Sequence, residues 1–252
     1  MSKILVIGDS CEDVFIYGRC DRICPEAPVP VFVPSKKFVN LGMAMNVKRN
    51  IEAMGVWCDI LTNEILPQKT RYVDLVSNQM IVRVDENDKV NPITASELSG
   101  IDFSIYDAIV ISDYNKGYLS AQDIRYISNI HPLVFLDTKK KFGRWCLDVD
   151  FIKINHKEMD ENGSFLFGNY TGDLIVTIGK DGAILNNSER FGTTEVHNIM
   201  DLSGAGDTFL AALASNYIES KNIRESIIFA NKCASYVVTK KGVVTVDLNE
   251  LS

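Results

Sequence analysis

The stretch DLSGAGDTF, Asp201–Phe209, brings two glycines, an alanine and an aspartate to the threshold of an apolar run, TFLAALASNYI. Gly204 and Gly206 allow backbone angles and close approach that a side chain would block. The residues after them open a helix. Its first amides lack intrahelical partners and, with the helix dipole, favour an anion. Asp207 falls in that first turn. Amides that hold a transferring phosphoryl group, beside a carboxylate that accepts a hydroxyl proton, would make a phosphotransfer centre. The nonapeptide also reads as a plain glycine turn before a helix, and by itself it does not separate the two.

Something must position these groups. KILVIGD, VWCDILT, YDAIVISD, PLVFLDT, DFIKIN and DLIVTIGK are short apolar runs, most of them ending in polar residues or glycine. They predict buried strands. Helical patterns lie between several of them: MAMNVKRNIEAMG, stopping at Gly55, and SAQDIRYISNI. Two further helices, AGDTFLAALASNYIES and IRESIIFANKCASYVVTK, close the pattern. Strand and helix in alternation predict an α/β fold with a mostly parallel sheet. Ligands of such sheets gather outside the carboxyl ends of the strands. Gly8, Asp9, Asp113, Asp137, Asn155 and Gly179 are therefore expected around one crevice.

Two segments break the alternation. VFIYGRCDRICPEAPVPVFVPSKKF contains APVPVFVP, whose prolines exclude a central strand. TRYVDLVSNQMIVRVDEND alternates with period two, as a half-exposed hairpin does. Together they predict a small antiparallel β lid, over about 14–38 and 70–90, on a single domain spanning 1–252.

Net charge is −7 and 46% of the 252 residues are hydrophobic. The acidic balance argues against a general nucleic-acid binder, while leaving room for one local phosphate pocket. No 18-residue apolar run predicts a membrane span, and MSKILVIGDS is too soon polar for a signal peptide. The six cysteines, Cys11, Cys20, Cys24, Cys58, Cys146 and Cys233, lack disulfide or zinc spacing. Free thiols in a cytoplasmic protein are expected.

The combined motifs resemble the ribokinase-like (PfkB) sugar kinases. That family carries D-x-x-G-A-G-D near its C-terminus, matched by Asp201, Gly204, Ala205, Gly206 and Asp207. The resemblance implies Asp207 as catalytic base and the Gly204–Asp207 amides as anion hole. Asn155 and Glu158, in INHKE with His156 and Lys157 between, match the family's N-x-x-E, which serves ATP phosphates and Mg²⁺ mostly through water. Glu158 is thus the implied metal residue. Thr177, Gly179 and Gly182 match the strand and turn against the nucleotide, and Asn231 a position near the adenosine. CDRICPEAPVPVF, ILVIGDSCEDVFIYG, SDYNKGYLS and LDTKKKF are similar to the kinase half of bacterial ADP-heptose synthases, which phosphorylate the anomeric hydroxyl of a heptose 7-phosphate with ATP. Lipopolysaccharide precursor synthesis, a lid-paired homodimer and a separate nucleotidyltransferase follow as implied context.

On the sugar side, the resemblance makes Asp13 the sugar-binding aspartate and places Gly42 and Asn46 beside it. Asn46 has both donor and acceptor for a hydroxyl. Arg22 and Lys116 are candidates for the distal phosphate, or else solvated charges. Lys139 is a candidate for nucleotide phosphates, and Asp113 would orient Lys116 or a sugar hydroxyl.

The sequence also departs from the family. Met43 stands where a second glycine is usual, and a methionine is expected to need an ordinary backbone conformation there. Val14 and Ile178 replace arginines common in the heptose group. After ILTNE a strand–helix unit is missing, so LPQKTRYVDLV follows almost at once. A kinase for a different sugar and a catalytically silent binder of sugar phosphate or nucleotide stand as the alternative readings.

Overall fold

The computed structural model describes residues 2–193, 196 and 198–251. Strand β1 (Lys3–Gly8) is followed by a long hairpin of β2 (Ser10–Ile23) and β3 (Pro30–Met43). Helix α1 (Ala44–Ala53) leads to β4 (Trp57–Thr62), β5 (Gln68–Asp74) and β6 (Met80–Glu86). The chain then runs through α2 (Ala95–Ser99), β7 (Ala108–Asp113), α3 (Ala121–Ile130), β8 (Val134–Thr138), β9 (Phe151–Asn155), α4 (His156–Asn162) and β10 (Asp173–Thr177). The short β11 (Ala183–Leu185) and β12 (Glu189–Phe191) precede α5 (Ala205–Ser220) and α6 (Ile223–Val237).

The main sheet has eight strands in the order β12-β11-β10-β9-β8-β7-β1-β4. From β10 through β4 every pairing is parallel, and β11 and β12 are antiparallel. This is why the apolar runs look continuous rather than alternating. The central strands β1, β7, β8 and β9 are buried on both faces. Ile4 and Val6 of β1 enter one core with Val47, Phe135, Phe209 and Leu213, while Leu5 and Ile7 enter the other with Ile109, Ile111, Ile124 and Ile127.

Helix α5 is apolar on all sides, and every residue from Asp207 to Ser215 is buried. Such a helix belongs inside a core. Burying Phe209, Leu210 and Leu213 stabilises its position by about 1.5–3 kcal/mol each. That burial fixes where Asp207 lies.

The two segments expected to form a lid build the second sheet, with the order β3-β2-β5-β6. It is not purely antiparallel as the sequence predicts. The β2–β5 pairing is parallel, because α1 and β4 intervene and β5 enters by a crossover rather than a hairpin turn. Its strands also begin and end elsewhere than the expected limits, spanning 10–43 and 68–86. Pro30 and Pro34 lie in β3, an edge strand, where a missing amide is tolerated. The other edge, β6, is exposed at all seven positions, including Met80, Ile81, Val82 and Val84. At the opposite margin of the main sheet, β4 is itself the edge, as the missing strand–helix unit implies. The six cysteines are free thiols. Among the described residues no helix is long and apolar enough to cross a membrane.

Candidate active site

Gly204 precedes α5 with φ 80° and ψ −4°. A Cβ there would sit 2.7 Å from Asn46 Nδ2, so both conformation and space demand glycine. Asp201 braces the turn by accepting the Ser203 amide at 2.8 Å. The Ala205 amide reaches Leu202 O at 3.3 Å. The Gly206 and Asp207 amides have no acceptor among the described residues, as the first turn of a helix dictates. Of the four amides expected to form the anion hole over Gly204–Asp207, only that of Ala205 has an acceptor, and the Gly204 amide, like the next two, has none among the described residues.

Asp207 is only 4% exposed. Its Oδ1 accepts the Tyr114 hydroxyl at 2.7 Å and its Oδ2 accepts Asn46 Nδ2 at 3.2 Å. Burial pushes its pKa up to about 6 against the pull of these two hydrogen bonds; the Asp137 charge adds to the rise and Lys153 opposes it. Such a carboxylate is ionised at neutral pH yet basic enough to take a proton. Asn46 cannot turn away. Its Oδ1 accepts Asn50 Nδ2 at 3.1 Å, and Asn50 Oδ1 in turn accepts the Val246 amide at 3.1 Å. Asn46, expected on the sugar side, is thereby fixed against Asp207.

Beside this turn lies a cationic relay. Lys153, 3% exposed on β9, has its Nζ 2.6 Å from Asp137 Oδ2. A Cβ added to Gly206 would meet that Nζ at 3.1 Å. Lys139 joins Asp137 Oδ1, at 3.4 Å, to Glu158 Oε1. Burial alone would raise the Asp137 pKa, but Lys153 and Lys139 more than reverse it. Lys139 and Lys69 also flank the Tyr114 ring, 5.4 and 5.5 Å from its centroid. Sequence reasoning named Lys139 and missed Tyr114, Lys153 and Arg71. A lysine inside the apolar run DFIKIN was the available signal for Lys153, because unpaired lysine is almost never buried.

Asn155 and Glu158 form a reciprocal cap on α4. Asn155 Oδ1 accepts the Glu158 amide at 2.9 Å, and Glu158 Oε2 accepts the Asn155 amide at 3.1 Å. His156 and Lys157 are exposed on the same helix. A cavity of about 230 Å³ lies here, lined by Thr138, Lys139, Lys140, Asn155, Lys157 and Glu158 among others. Its lysines suit a polyphosphate. Glu158 Oε1 meets Lys139 and its Oε2 accepts the Asn155 amide. No group of three His, Cys, Asp or Glu side chains that could hold a metal occurs among the described residues, so an all-protein cage is not built here, and a Mg²⁺ beside Glu158 would take its other ligands from water and phosphate.

Thr177 ends β10, with its hydroxyl on Ile154 O at 3.3 Å. Gly179 and Gly182 follow with φ 62° and 94°, and a Cβ on Gly182 would fall 1.9 Å from Phe191 O. Asn231 is buried and spends its amide on Phe191 O and Gly192 O, at 3.0 and 3.2 Å. It holds the loop after β12, and only its Oδ1 stays available to a ligand.

On the sugar side, Asp13 is 7% exposed, and its Oδ1 accepts Arg71 Nη1 at 2.5 Å. A Cβ on Gly42 would come within 2.1 Å of Asp13 Oδ2, which explains that glycine. Three expected sugar-side residues are not brought to this point. Arg22 is exposed on the outer stretch of β2 opposite Val31. Lys116 gives its ammonium to Asp88 at 2.5 Å and its amide to Asp9 at 3.1 Å. Asp113 accepts the Thr138 hydroxyl, Lys140 Nζ at 2.6 Å and the Asn115 amide at 3.1 Å, so it braces a loop instead of orienting Lys116. Met43 overturns its expectation as well. It is 3% exposed with φ 58° and ψ −131°, so the methionine keeps the positive-φ backbone that favours glycine.

The pfkB family carbohydrate kinase model matches residues 139–250. The bifunctional protein HldE of a Nitratiruptor species is 31% identical over 296 residues, covering 99% of this chain and 64% of the relative. HldE of Helicobacter acinonychis is 32% identical over 306 residues, covering 100% of this chain and 66% of the relative. The chain thus spans slightly less than two thirds of these relatives. Both alignments are longer than its 252 residues, so the relatives carry segments that this chain lacks. An Arabidopsis thaliana ribokinase complexed with ribose and ATP superposes with a TM-score of 0.74 at 14% identity, covering 100% of this chain and 99% of that one. Residues 139–250 thus match the pfkB family of carbohydrate kinases, the whole chain is similar to the HldE proteins, and its fold is ribokinase-like.

Proposed function

We propose that the chain is an ATP-dependent sugar kinase that phosphorylates the anomeric hydroxyl of a heptose 7-phosphate, with Asp207 as general base. The observation that carries this is the buried Asp207, held by Tyr114 and Asn46 beside two unpaired helix amides and Lys153. When bound, ATP supplies the phosphoryl group. Asp207 Oδ takes the proton of the attacking hydroxyl. The Gly206 and Asp207 amides and the Lys153 ammonium offer positive charge where negative charge builds. Lys139, Lys140 and Lys157 would hold the polyphosphate. Any Mg²⁺ would be held through water near Glu158. Asp13 would orient the sugar, and the names of the HldE relatives support a heptose phosphate as that sugar. The product would pass to a nucleotidyltransferase.

A second reading is a silent binder, favoured by the Glu158 oxygens being taken and by Met43 standing in a glycine conformation. ATP consumption with a panel of free sugars and sugar phosphates separates the two. Sugar-dependent turnover, abolished by Asp207→Asn, supports the kinase. Absence of turnover with every acceptor, while binding persists, supports the binder.

A further inference from the structure

Asp207 is the base of the proposed reaction, yet the fold closes it off. It is 4% exposed, so an acceptor hydroxyl reaches it only where a neighbour gives way. Two side chains hold its carboxylate. Asn46 Nδ2 donates to Oδ2 at 3.2 Å, and the Tyr114 hydroxyl donates to Oδ1 at 2.7 Å. They are not equally free to leave. Asn46 is fully buried in the first turn of α1. Its Nδ2 also reaches Gly204 O at 3.4 Å, and its Oδ1 accepts Asn50 Nδ2 at 3.1 Å. Tyr114 is half-buried, and its hydroxyl has no other hydrogen-bond partner among the described residues.

The backbone that carries Tyr114 is braced, so the side chain is the part that can swing. Tyr114 follows β7 directly. Asp113 accepts the Asn115 amide at 3.1 Å, and Asp9 accepts the Lys116 and Tyr118 amides at 3.1 and 3.2 Å. The Tyr114 ring lies beside two ammonium groups, Lys69 Nζ at 5.5 Å and Lys139 Nζ at 5.4 Å from its centroid. These lysines belong to opposite sides of the reaction. Lys69 pairs with Asp13 in the β2–β5 register, on the sugar side. Lys139 lines the cavity that suits a polyphosphate. Cations attracted to the ring hold it in place, and a phosphate that draws Lys139 away loosens it.

We propose that Tyr114 is a gate on the base: its hydroxyl stands on Asp207 Oδ1 where the attacking hydroxyl must go, and it swings out when acceptor and polyphosphate are both seated. Tyr114 touches the base and not the substrate, so it is a positioning residue. The inference rests on the reading of Asp207 as general base. While the gate is shut, water cannot use Oδ1 and ATP is spared. With the gate open and no acceptor, water attacks the γ-phosphorus. Its oxygen forms the new P–O bond, the bond to the ADP oxygen breaks, and the proton goes to Asp207. The charged groups facing the pair are Asp137, Lys153, Lys69 and Lys139, with the Cys11 thiol alongside. None of them is altered by Tyr114→Phe.

The test compares wild type with Tyr114→Phe, which keeps the ring and removes the hydroxyl. Losing a hydrogen bond to a carboxylate should raise ATP hydrolysis without acceptor roughly tenfold to hundredfold. KM for the sugar phosphate should fall, because acceptor binding no longer has to open the gate. The pH profiles separate a gate from a permanent brace. The Tyr114 hydrogen bond favours the Asp207 carboxylate, so its loss moves the acid limb of the free enzyme, read in kcat/KM, to higher pH. The limb of the loaded enzyme, read in kcat, should stay where it is, since Tyr114 has already left Oδ1 there. Both limbs moving together, with hydrolysis unchanged, would make Tyr114 a brace and overturn the gate. Neither limb moving would overturn it too, leaving a packing role. If wild type turns over no sugar, the kinase reading fails, and the gate is read without turnover. Labelling of Asp207 by a water-soluble carbodiimide and an amine, located by mass spectrometry, should then be roughly tenfold to hundredfold faster in Tyr114→Phe. Equal labelling of the two folded proteins rejects the gate.

Discussion

Met43 offers a direct measurement of backbone strain. Its φ of 58° and ψ of −131° lie in a region that side chains avoid, and the residue is 3% exposed. Two substitutions separate the strain from the packing. Met43→Ala and Met43→Gly both remove the buried side chain, at a cost of about 2–5 kcal/mol. They differ in the backbone. At an ordinary site alanine is favoured over glycine by roughly 0.5–1 kcal/mol, because glycine has more freedom to lose. Here alanine keeps the strain, worth about 1–3 kcal/mol, while glycine relieves it. Glycine should therefore be the more stable variant by up to about 2 kcal/mol, reversing the usual order, with both below wild type. Urea unfolding of the two variants, with equal slopes, gives the difference from the midpoints. Alanine at or above glycine would refute the strain argument. The glycine variant should also free the lid hinge and lower KM for the sugar.

Further outcomes follow from the site and from the exposed edge of the second sheet. Because Asp207 is raised to about 6, the native state holds a proton that the unfolded chain has already released. Stability from this group is therefore full at low pH and lost as pH rises through about 6, a change on the order of 2–3 kcal/mol. Turnover should do the reverse, falling as pH drops through 6. Asp207→Asn should lower kcat by about 10²–10⁴-fold, leave ATP and sugar binding nearly intact and remove this pH dependence of stability, as kinetics, calorimetry and melting can check on one pair of proteins. Lys153→Met strands Asp137 beside Lys139 alone and should cost about 3–5 kcal/mol. Adding Asp137→Asn should recover most of that stability but not the turnover, whereas recovery of both would make the pair merely structural. The lid edge β6, exposed at Val82 and Val84, should pair in a homodimer. Light scattering at micromolar concentration should give twice the chain mass, and Val82→Lys should halve it; a monomeric wild type would count against the pairing.

The sequence by itself determined the six parallel strands of the main sheet, because strands covered on both faces must be written as apolar runs, and KILVIG, AIVISD and FIKIN leave little else to be; the short antiparallel β11 and β12 carried no such run. It also determined the turn at Gly204–Asp207, since a glycine pair before an apolar helix is a local message. What it left undecided is whatever depends on a partner distant in the chain. Asn155 and Glu158 match a nucleotide motif, yet three-residue spacing also closes a cap, and the structure shows the cap formed. Arg22 and Arg71 are both lid arginines in the sequence. Only the parallel pairing of β5 on β2 sets Arg71 against Asp13, while the length of β2 carries Arg22 away. Lys153 is one charge in an apolar strand until β8 brings Asp137 to it, 16 residues away. Met43 shows the reverse limit. Its side chain predicts an ordinary backbone, but the hairpin ending and the helix beginning on either side of it impose the conformation, and the residue bears the strain. Local chemistry is written residue by residue, whereas charge pairing, burial and strain belong to neighbours that only the folded chain brings together.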